Sequence, residues 1–404
     1  MKARNVAWVI FLSSGIVLGL DLLTNAIDTK KYAWDFLYYI AMAKDGFNAQ
    51  PLASPFAYRY LTPLIVNGIS RISSVSIENG FLVIAYLGAI AQLTGIFFFT
   101  NWLTKSRKGA YLAMLVTTLS LFNVKFLLFD IYRPDHLAYA LILLQTYFAF
   151  EKKFLPLLII TIIASQIREF NIIPLVAYLV ASWYSQEHTN VIKHTTFSAL
   201  FLLPAIILPR LLIPVTENYQ IIGLSQNSIL TVLLLSLVPA VDINFIFSLL
   251  AYLLPLLFIT NIKTIKAILA GLPDDQRRYL YVYTILVLIL SFFGGTDFFR
   301  FTTFLFLPQI ILIGLIAPQR SNFQIGSMLA VTFIFNRIWL PFPIWDKDQY
   351  LDFYGGFSLR LNWSTLYRSL ECIAFIAFGF LLRKNWRKTA NEGSASFHGS
   401  KHGA

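Results

Sequence analysis

The sequence predicts an all-α, polytopic membrane protein with about twelve transmembrane helices and interfacial helices in a long first outer loop. Three observations predict it. Of 404 residues, 57% are hydrophobic and only 13% are charged, against roughly 45–50% apolar and 25% charged in an average soluble domain. The apolar residues fall into repeated runs near the ~20 residues needed to cross a bilayer. The basic residues collect between alternate runs, as they do on the cytoplasmic side of spans. Soluble, disordered and collagenous classes are excluded by this balance. The single cysteine, Cys372, lies in an apolar run and permits neither an intrachain disulfide nor a thiolate metal site. The formal charge of +12 is a topology signal here, and no nucleic-acid partner is expected.

The spans are 5–24, 77–102, 109–123, 136–150, 154–167, 170–184, 195–214, 244–260, 279–293, 301–317, 323–340 and 365–382. The first has no small-x-small exit before Asp21 and reads as a span, not a cleaved leader. The fifth and sixth cannot be one helix. Residues 154–184 would extend ~46 Å at 1.5 Å per residue, beyond a ~30 Å core, with Arg168 and Glu169 at its middle. A hairpin of two short helices meeting at Arg168-Glu169-Phe170-Asn171 is expected instead. Residues 228–241 are too few to span and read as interfacial or re-entrant, closed by Pro239 and Asp242.

Charge sets the orientation. With Met1 in the cytoplasm, the inner segments hold 18 of the 32 Lys and Arg residues but five acids, a surplus of +13. The outer segments hold 14 of each sign, and Glu371 lies inside the last span. Both termini are therefore expected in the cytoplasm of a plasma (inner) membrane. Residues 1–388 form one transmembrane domain with its outer active-site loop at 25–76. Residues 389–404, rich in Gly, Ser and His, read as a disordered cytoplasmic tail.

The outer loops mix acids and arginines turn by turn: Asp35 and Arg59; Asp130, Arg133 and Asp135; Arg168 and Glu169; Asp297 and Arg300; Asp346, Asp348, Asp352 and Arg360. No inner loop has a comparable mixture. Within 34–45, Trp34, Leu37, Tyr38, Ala41 and Met42 recur at helical spacing, which predicts an amphipathic helix in the outer interface. Asp35 sits at its start, where a helix dipole stabilises a carboxylate. No P-loop, GxGxxG, His-Glu-x-x-His or Cys-x-x-Cys occurs. There is no 20–50-residue repeat and no inverted repeat of the transporter kind.

The outer loop reading Asp35-x-x-x-Tyr39-x-Ala41, then Gly46, then Pro55-Phe56-x-Tyr58-Arg59-x-x-x-Pro63, resembles that of the GT-C superfamily of integral-membrane glycosyltransferases. The similarity is strongest to polyprenyl-phosphate-sugar-dependent mannosyltransferases. Arg133-Pro134-Asp135, Arg168-Glu169 and Gly295-x-Asp297-x-x-Arg300 are similar to the later polar turns of that superfamily. The resemblance implies transfer of a sugar from a polyprenyl-phosphate donor to a lipid, glycan or protein acceptor on the outer or luminal face, in cell-envelope or polysaccharide biosynthesis. It implies that Asp35 is the base of an inverting displacement. Many relatives carry paired acids, Asp-x-Asp, in this loop; here Ala33 and Leu37 flank Asp35, so no metal is expected. Arg59 is the first choice for the donor phosphate, because guanidinium grips phosphate bidentately. Tyr58, Arg133, Asp135, Arg168, Glu169, Asp297 and Arg300 complete the expected substrate-binding set. Each acid–arginine turn could instead be an interfacial ion pair. Arg210, Asp242 and Arg337 are expected to snorkel, and Arg368 to pair with Glu371. A lipid-sugar flippase or secondary transporter, a polysaccharide polymerase or ligase, and a non-catalytic membrane scaffold are the alternatives.

Overall fold

The computed structural model of the chain is predominantly helical and describes residues 3–30, 35–50, 52–185, 188–218, 220–221, 224–225, 234, 237–293, 298–340, 361 and 363–398. Helices occupy every predicted span. In chain order they are α1 (Ala3–Asp21), α2 (Phe36–Asp45), α3 (Leu61–Ser73), α4 (Ile77–Thr104), α5 (Arg107–Thr118), α6 (Lys125–Phe129), α7 (Asp135–Phe150), α8 (Phe154–Ser165) and α9 (Ile173–Trp183). After them come α10 (His188–Leu212), α11 (Pro239–Ile259), α12 (Ile262–Ala270), α13 (Asp274–Phe293), α14 (Phe298–Phe301), α15 (Phe306–Ile316), α16 (Asn322–Phe335) and α17 (Trp363–His398). Six helical stretches are long and apolar enough to cross a membrane: Arg4–Asp21, Ile77–Thr104, His188–Leu212, Val241–Ile259, Phe298–Gln319 and Thr365–Arg383. Phe154–Ser165, Glu169–Trp183 and Asn322–Phe335 are apolar but shorter.

The hairpin expected at Arg168 is present. α8 stops at Ser165, a 3-10 turn runs Glu169–Ile172, and Pro174 lies in the first turn of α9, where a missing N–H costs no hydrogen bond. Gln145 of α7 stitches both limbs, donating from Nε2 to Thr161 Oγ1 (2.8 Å) and to the Asn171 carbonyl (2.7 Å).

Elsewhere the helices depart from the expected spans for identifiable reasons. α5 ends at Thr118, short of residue 123. Ser120 and Asn123 leave it and reach the Tyr252 hydroxyl (3.5 Å each), because hydroxyl and amide groups buried among apolar side chains must find partners. The span expected to begin at 301 begins at Phe298 and tightens into a 3-10 turn at Thr302–Leu305. There Thr302 and Thr303 donate back to the carbonyls of Phe298 and Phe299 (both 2.8 Å). Pro239 opens α11 instead of closing a re-entrant segment; most of 228–241 lies outside the described residues.

α2 is the helix expected at 34–45, but its buried stripe is Phe36, Tyr39, Met42 and Ala43, while Leu37 is exposed. Trp34 lies outside the described residues. The stripe is rotated because Asp35 and Tyr39, one turn apart, both have buried partners. A second helix, α3, completes the loop. Ala53–Ser54 pairs as a short parallel ribbon with Glu217–Asn218, tying the loop to the chain leaving α10.

The connections gather at two ends. One holds residues 22–30, 35–50 and 52–60, the α6–α7 turn, the α8–α9 turn and the start of α14. The opposite end holds the α7–α8 turn, the end of α9 and the start of α13. There Lys152 pairs with Asp275 (2.7 Å) and Arg278 donates to the Tyr184 carbonyl (2.7 Å).

The central helix α4 packs on α7 through Gly88, where an added Cβ would lie 2.5 Å from the His136 Cβ. Gly88→Ala should force these helices apart and cost about 1–3 kcal/mol, the usual penalty for overpacking. Gly15, with nothing within 4 Å of its built Cβ, should accept Ala without loss. Thermal unfolding of both variants in detergent checks this; a Gly88→Ala protein as stable as wild type would refute the packing account.

Candidate active site

Asp35 precedes the first turn of α2, and its carboxylate caps no backbone N–H. It turns inward to two arginines. Arg133 Nη2 donates to Oδ1 (3.1 Å) and Arg300 Nη1 to Oδ2 (3.4 Å). The carboxylate at the start of α2 is thereby bracketed by two guanidinium groups. Arg133 also donates from Nε to Asp130 and lies 5.3 Å over the Phe126 ring.

One turn along α2, Tyr39 brings the second group. Arg59 Nη1 donates to the Tyr39 hydroxyl (3.2 Å), and Arg59 Nε contacts both carboxylate oxygens of Glu169 (3.1 and 3.0 Å). The third group is deepest: Arg168 Nη1 lies 2.8 Å from Asp135 Oδ1, with the guanidinium 5.9 and 5.5 Å from the rings of Phe170 and Phe301. Exposure grades through the cluster. Side-chain exposure is 1% and 0% for Arg168 and Asp135, 10% for Asp35 and 30% for Glu169. Glu169 is therefore at the mouth and Asp135 at the floor.

The electrostatics follow from this burial. Burial acts to raise the Glu169 carboxyl, but Arg59 and Arg168 outweigh it and hold Glu169 below the usual carboxylate range. Burial acts against the charged form of Arg59, and Glu169 and Tyr39 more than offset it, so the guanidinium stays firmly protonated. Tyr39 is pushed up to about 12 by burial, with Arg59 pulling the other way. Asp130 is pushed up to about 6, by burial first and by the neighbouring Asp35 and Asp135 charges, against the pull of Arg133.

Seven of the nine expected residues are brought together: Asp35, Arg59, Arg133, Asp135, Arg168, Glu169 and Arg300. Tyr58 is not joined to them by an ion pair or hydrogen bond; its ring packs 4.9 Å beneath the guanidinium of Arg210 at the end of α10. Asp297, and Asp346, Asp348, Asp352 and Arg360 of the last expected outer loop, lie outside the described residues. Arg337 pairs with Glu371 (2.9 Å), which the expected partner Arg368 also contacts. Tyr39 and Asp130 were legible only as loop residues. Their signals were position: Tyr39 one helical turn after Asp35, Asp130 three residues before Arg133. Lys125 was missed as well; it is buried and donates to the carbonyls of Ile338 (2.8 Å) and Leu340. Among the described residues no three His, Cys, Asp or Glu side chains come together as a metal set.

Compared with protein-family models, curated proteins and solved structures, the chain matches none of them.

The Arg168–Asp135 pair has a measurable signature. Arg168→Met should cost about 3–5 kcal/mol by leaving a buried carboxylate without its cation. Adding Asp135→Leu should restore most of that. A double-mutant cycle on thermal stability tests it; strict additivity of the two losses would show that the pair is not coupled.

Proposed function

We propose that the chain is a GT-C-type membrane glycosyltransferase with twelve transmembrane helices, moving a sugar from a polyprenyl-phosphate donor to an acceptor on the outer or luminal face. The single observation that carries the reading is the convergence on Asp35. An acid from the first loop and arginines from three later connections meet at one end of the bundle, over a distance in sequence of up to 265 residues. The alternating direction of the helices, the 28-residue α4 and the basic surplus of the opposite segments support a twelve-span arrangement. They also support cytoplasmic termini in the plasma membrane.

In this mechanism Asp35 accepts the proton of the acceptor hydroxyl. The acceptor oxygen forms a bond to the anomeric carbon from the face opposite the donor phosphate. The bond from that carbon to the phosphate oxygen breaks, and the lipid phosphate departs with the electron pair. Arg300, Arg133 and Arg59 are the cations available to hold it, since charge-assisted contacts from guanidinium to phosphate are strong and directional. Glu169 and Asp135 keep Arg59 and Arg168 in place. No metal enters the scheme, because each carboxylate of the cluster already faces an arginine.

The test is transfer by the purified protein from a panel of radiolabelled polyprenyl-phosphate sugars. Asp35→Asn keeps the shape and removes the base, so transfer should fall by about 10²–10⁴, the usual worth of general base catalysis. A chelator should leave the rate unchanged. Undiminished transfer by Asp35→Asn would eliminate the proposed base. Movement of the lipid-sugar across vesicles without transfer would favour a flippase. Cysteines introduced at positions 35 and 133 should be labelled from outside intact cells; labelling from the cytoplasm alone would invert the topology.

A further inference from the structure

A second charged cluster is built where α16 ends and α17 begins. Asn336, just after α16, accepts from the Leu121 N–H (3.3 Å), and Lys125 of α6 donates to the carbonyls of Ile338 (2.8 Å) and Leu340. This corner therefore sits beside α6, at the end of the bundle that holds Asp35. Arg337 Nη2 donates to Glu371 Oε2 (2.9 Å), and Arg368 Nη1 donates to the same oxygen. Two guanidinium groups share one carboxylate. Arg368 also donates from Nη2 to the Phe335 carbonyl (2.9 Å), while its Nε is buried without a hydrogen bond.

Charge does not balance here. Glu371 answers one of the two arginines, and Lys125 meets only carbonyls among the described residues. All the ion pairs and hydrogen bonds of Lys125, Arg337, Arg368 and Glu371 are made with described residues. The carboxyl-terminal dipole of α16 offsets only about half a charge. A guanidinium cannot shed its proton, and uncompensated charge away from water is strongly disfavoured. The surplus calls for an anion from outside the chain.

Position indicates what kind of anion. Thr365–Arg383 is apolar enough to cross a membrane, and Glu371 lies six residues into it, ~9 Å along the axis at 1.5 Å per residue. Arg337 follows the apolar helix Asn322–Phe335. Long arginine side chains span the distance between that depth and the headgroups. The Arg337 guanidinium lies 6.0 Å from the ring of Tyr367, which is 65% exposed, and Trp339 and Trp363 are exposed at the ends of the same two helices. Exposed Trp and Tyr at helix ends mark headgroup depth. Arg337 is the accessible partner, with 13% of its side chain exposed against 5% for Arg368. Next to Tyr367, Leu366, Leu370 and Ile373 form an exposed apolar strip along one face of α17.

We propose that Arg337 and Arg368 form a binding site for the phosphodiester headgroup of an anionic glycerophospholipid from the surrounding leaflet, with an acyl chain against the α17 strip. One surplus positive charge meets one negative charge. A phosphatidylcholine headgroup brings its own cation and leaves the surplus in place.

The experiment is native mass spectrometry of the full chain in detergent with added phosphatidylglycerol or phosphatidylcholine, with thermal unfolding in the same mixtures. The wild type should prefer phosphatidylglycerol roughly fivefold, the worth of one cation at an anionic lipid surface, and should be stabilised by it. Arg337→Gln leaves Arg368 and Glu371 as a balanced pair, so it should fold and lose the preference. Glu371→Gln leaves both arginines without their acid and should raise the preference by roughly a further fivefold. Arg71→Gln, which removes an exposed cation from the last turn of α3, should change nothing. Equal binding of the two lipids by wild type would overturn the site, as would equal losses in Arg71→Gln and Arg337→Gln. A preference that falls in Glu371→Gln would show a cluster that serves stability alone, and the proposal would fail. Glycerophosphoglycerol, the same headgroup without chains, should not compete at equal concentration; if it does, a lipid is not the occupant. Should Arg337→Gln fail to fold, the wild-type preference and its rise in Glu371→Gln still decide.

Discussion

An arginine cannot be buried as a neutral group. Lysines, histidines and carboxylates can shed their charge when taken out of water, but a guanidinium keeps its proton and so brings a carboxylate with it. Four arginines are buried at one end of this bundle, and that requirement organises the end. Arg59 holds Glu169, 110 residues away, and Arg133 and Arg300 hold Asp35, 98 and 265 residues away. Arg168 holds Asp135. These pairs bind the first long loop, the α6–α7 turn, the α8–α9 turn and the start of α14 into one assembly.

The same requirement explains features that hydrophobicity alone would not produce. α2 buries Tyr39 and leaves Leu37 exposed because Asp35 and Tyr39 share the face that meets arginines. The α8–α9 pair is broken at Glu169–Ile172 instead of continuing, so that Arg168 and Glu169 can point into the cluster from a turn. Arg337 stays inside to meet Glu371 together with Arg368. Away from charge, uncharged polar groups follow a milder version of the rule: Ser120, Asn123 and Thr303 collect around the Tyr252 hydroxyl, and the helices nearby shorten or tighten to allow it.

Much of this was legible in the sequence. Runs of apolar residues locate the helices, because a stretch such as Ile77–Thr104 has few other ways to satisfy its backbone in lipid. The Arg168-Glu169 break was legible because charge at the centre of a span is too costly. The recurrence of acid and arginine in successive loops marked the end that carries the cluster. Less was legible about helix ends. α5 stops short because Ser120 and Asn123 turn to the Tyr252 hydroxyl, 132 and 129 residues away along the chain. The rotation of α2 was also hidden, since periodicity weighs Leu37 and Tyr39 by their own polarity and not by what faces them.

Composition, periodicity and charge pattern by themselves determined that this is a helical chain with segments apolar enough to cross a membrane and that acids and arginines recur together in the connections between them. These properties are local: each depends on a residue and its near neighbours along the chain. The tertiary structure decided which acid answers which arginine, that Asp35 is shared by Arg133 and Arg300, and that Arg133 serves both Asp130 and Asp35. Pairing is a property of distance in space. Coulombic attraction between buried groups acts over a few ångströms through a medium of low dielectric, and partners 265 residues apart become neighbours only when the helices have packed.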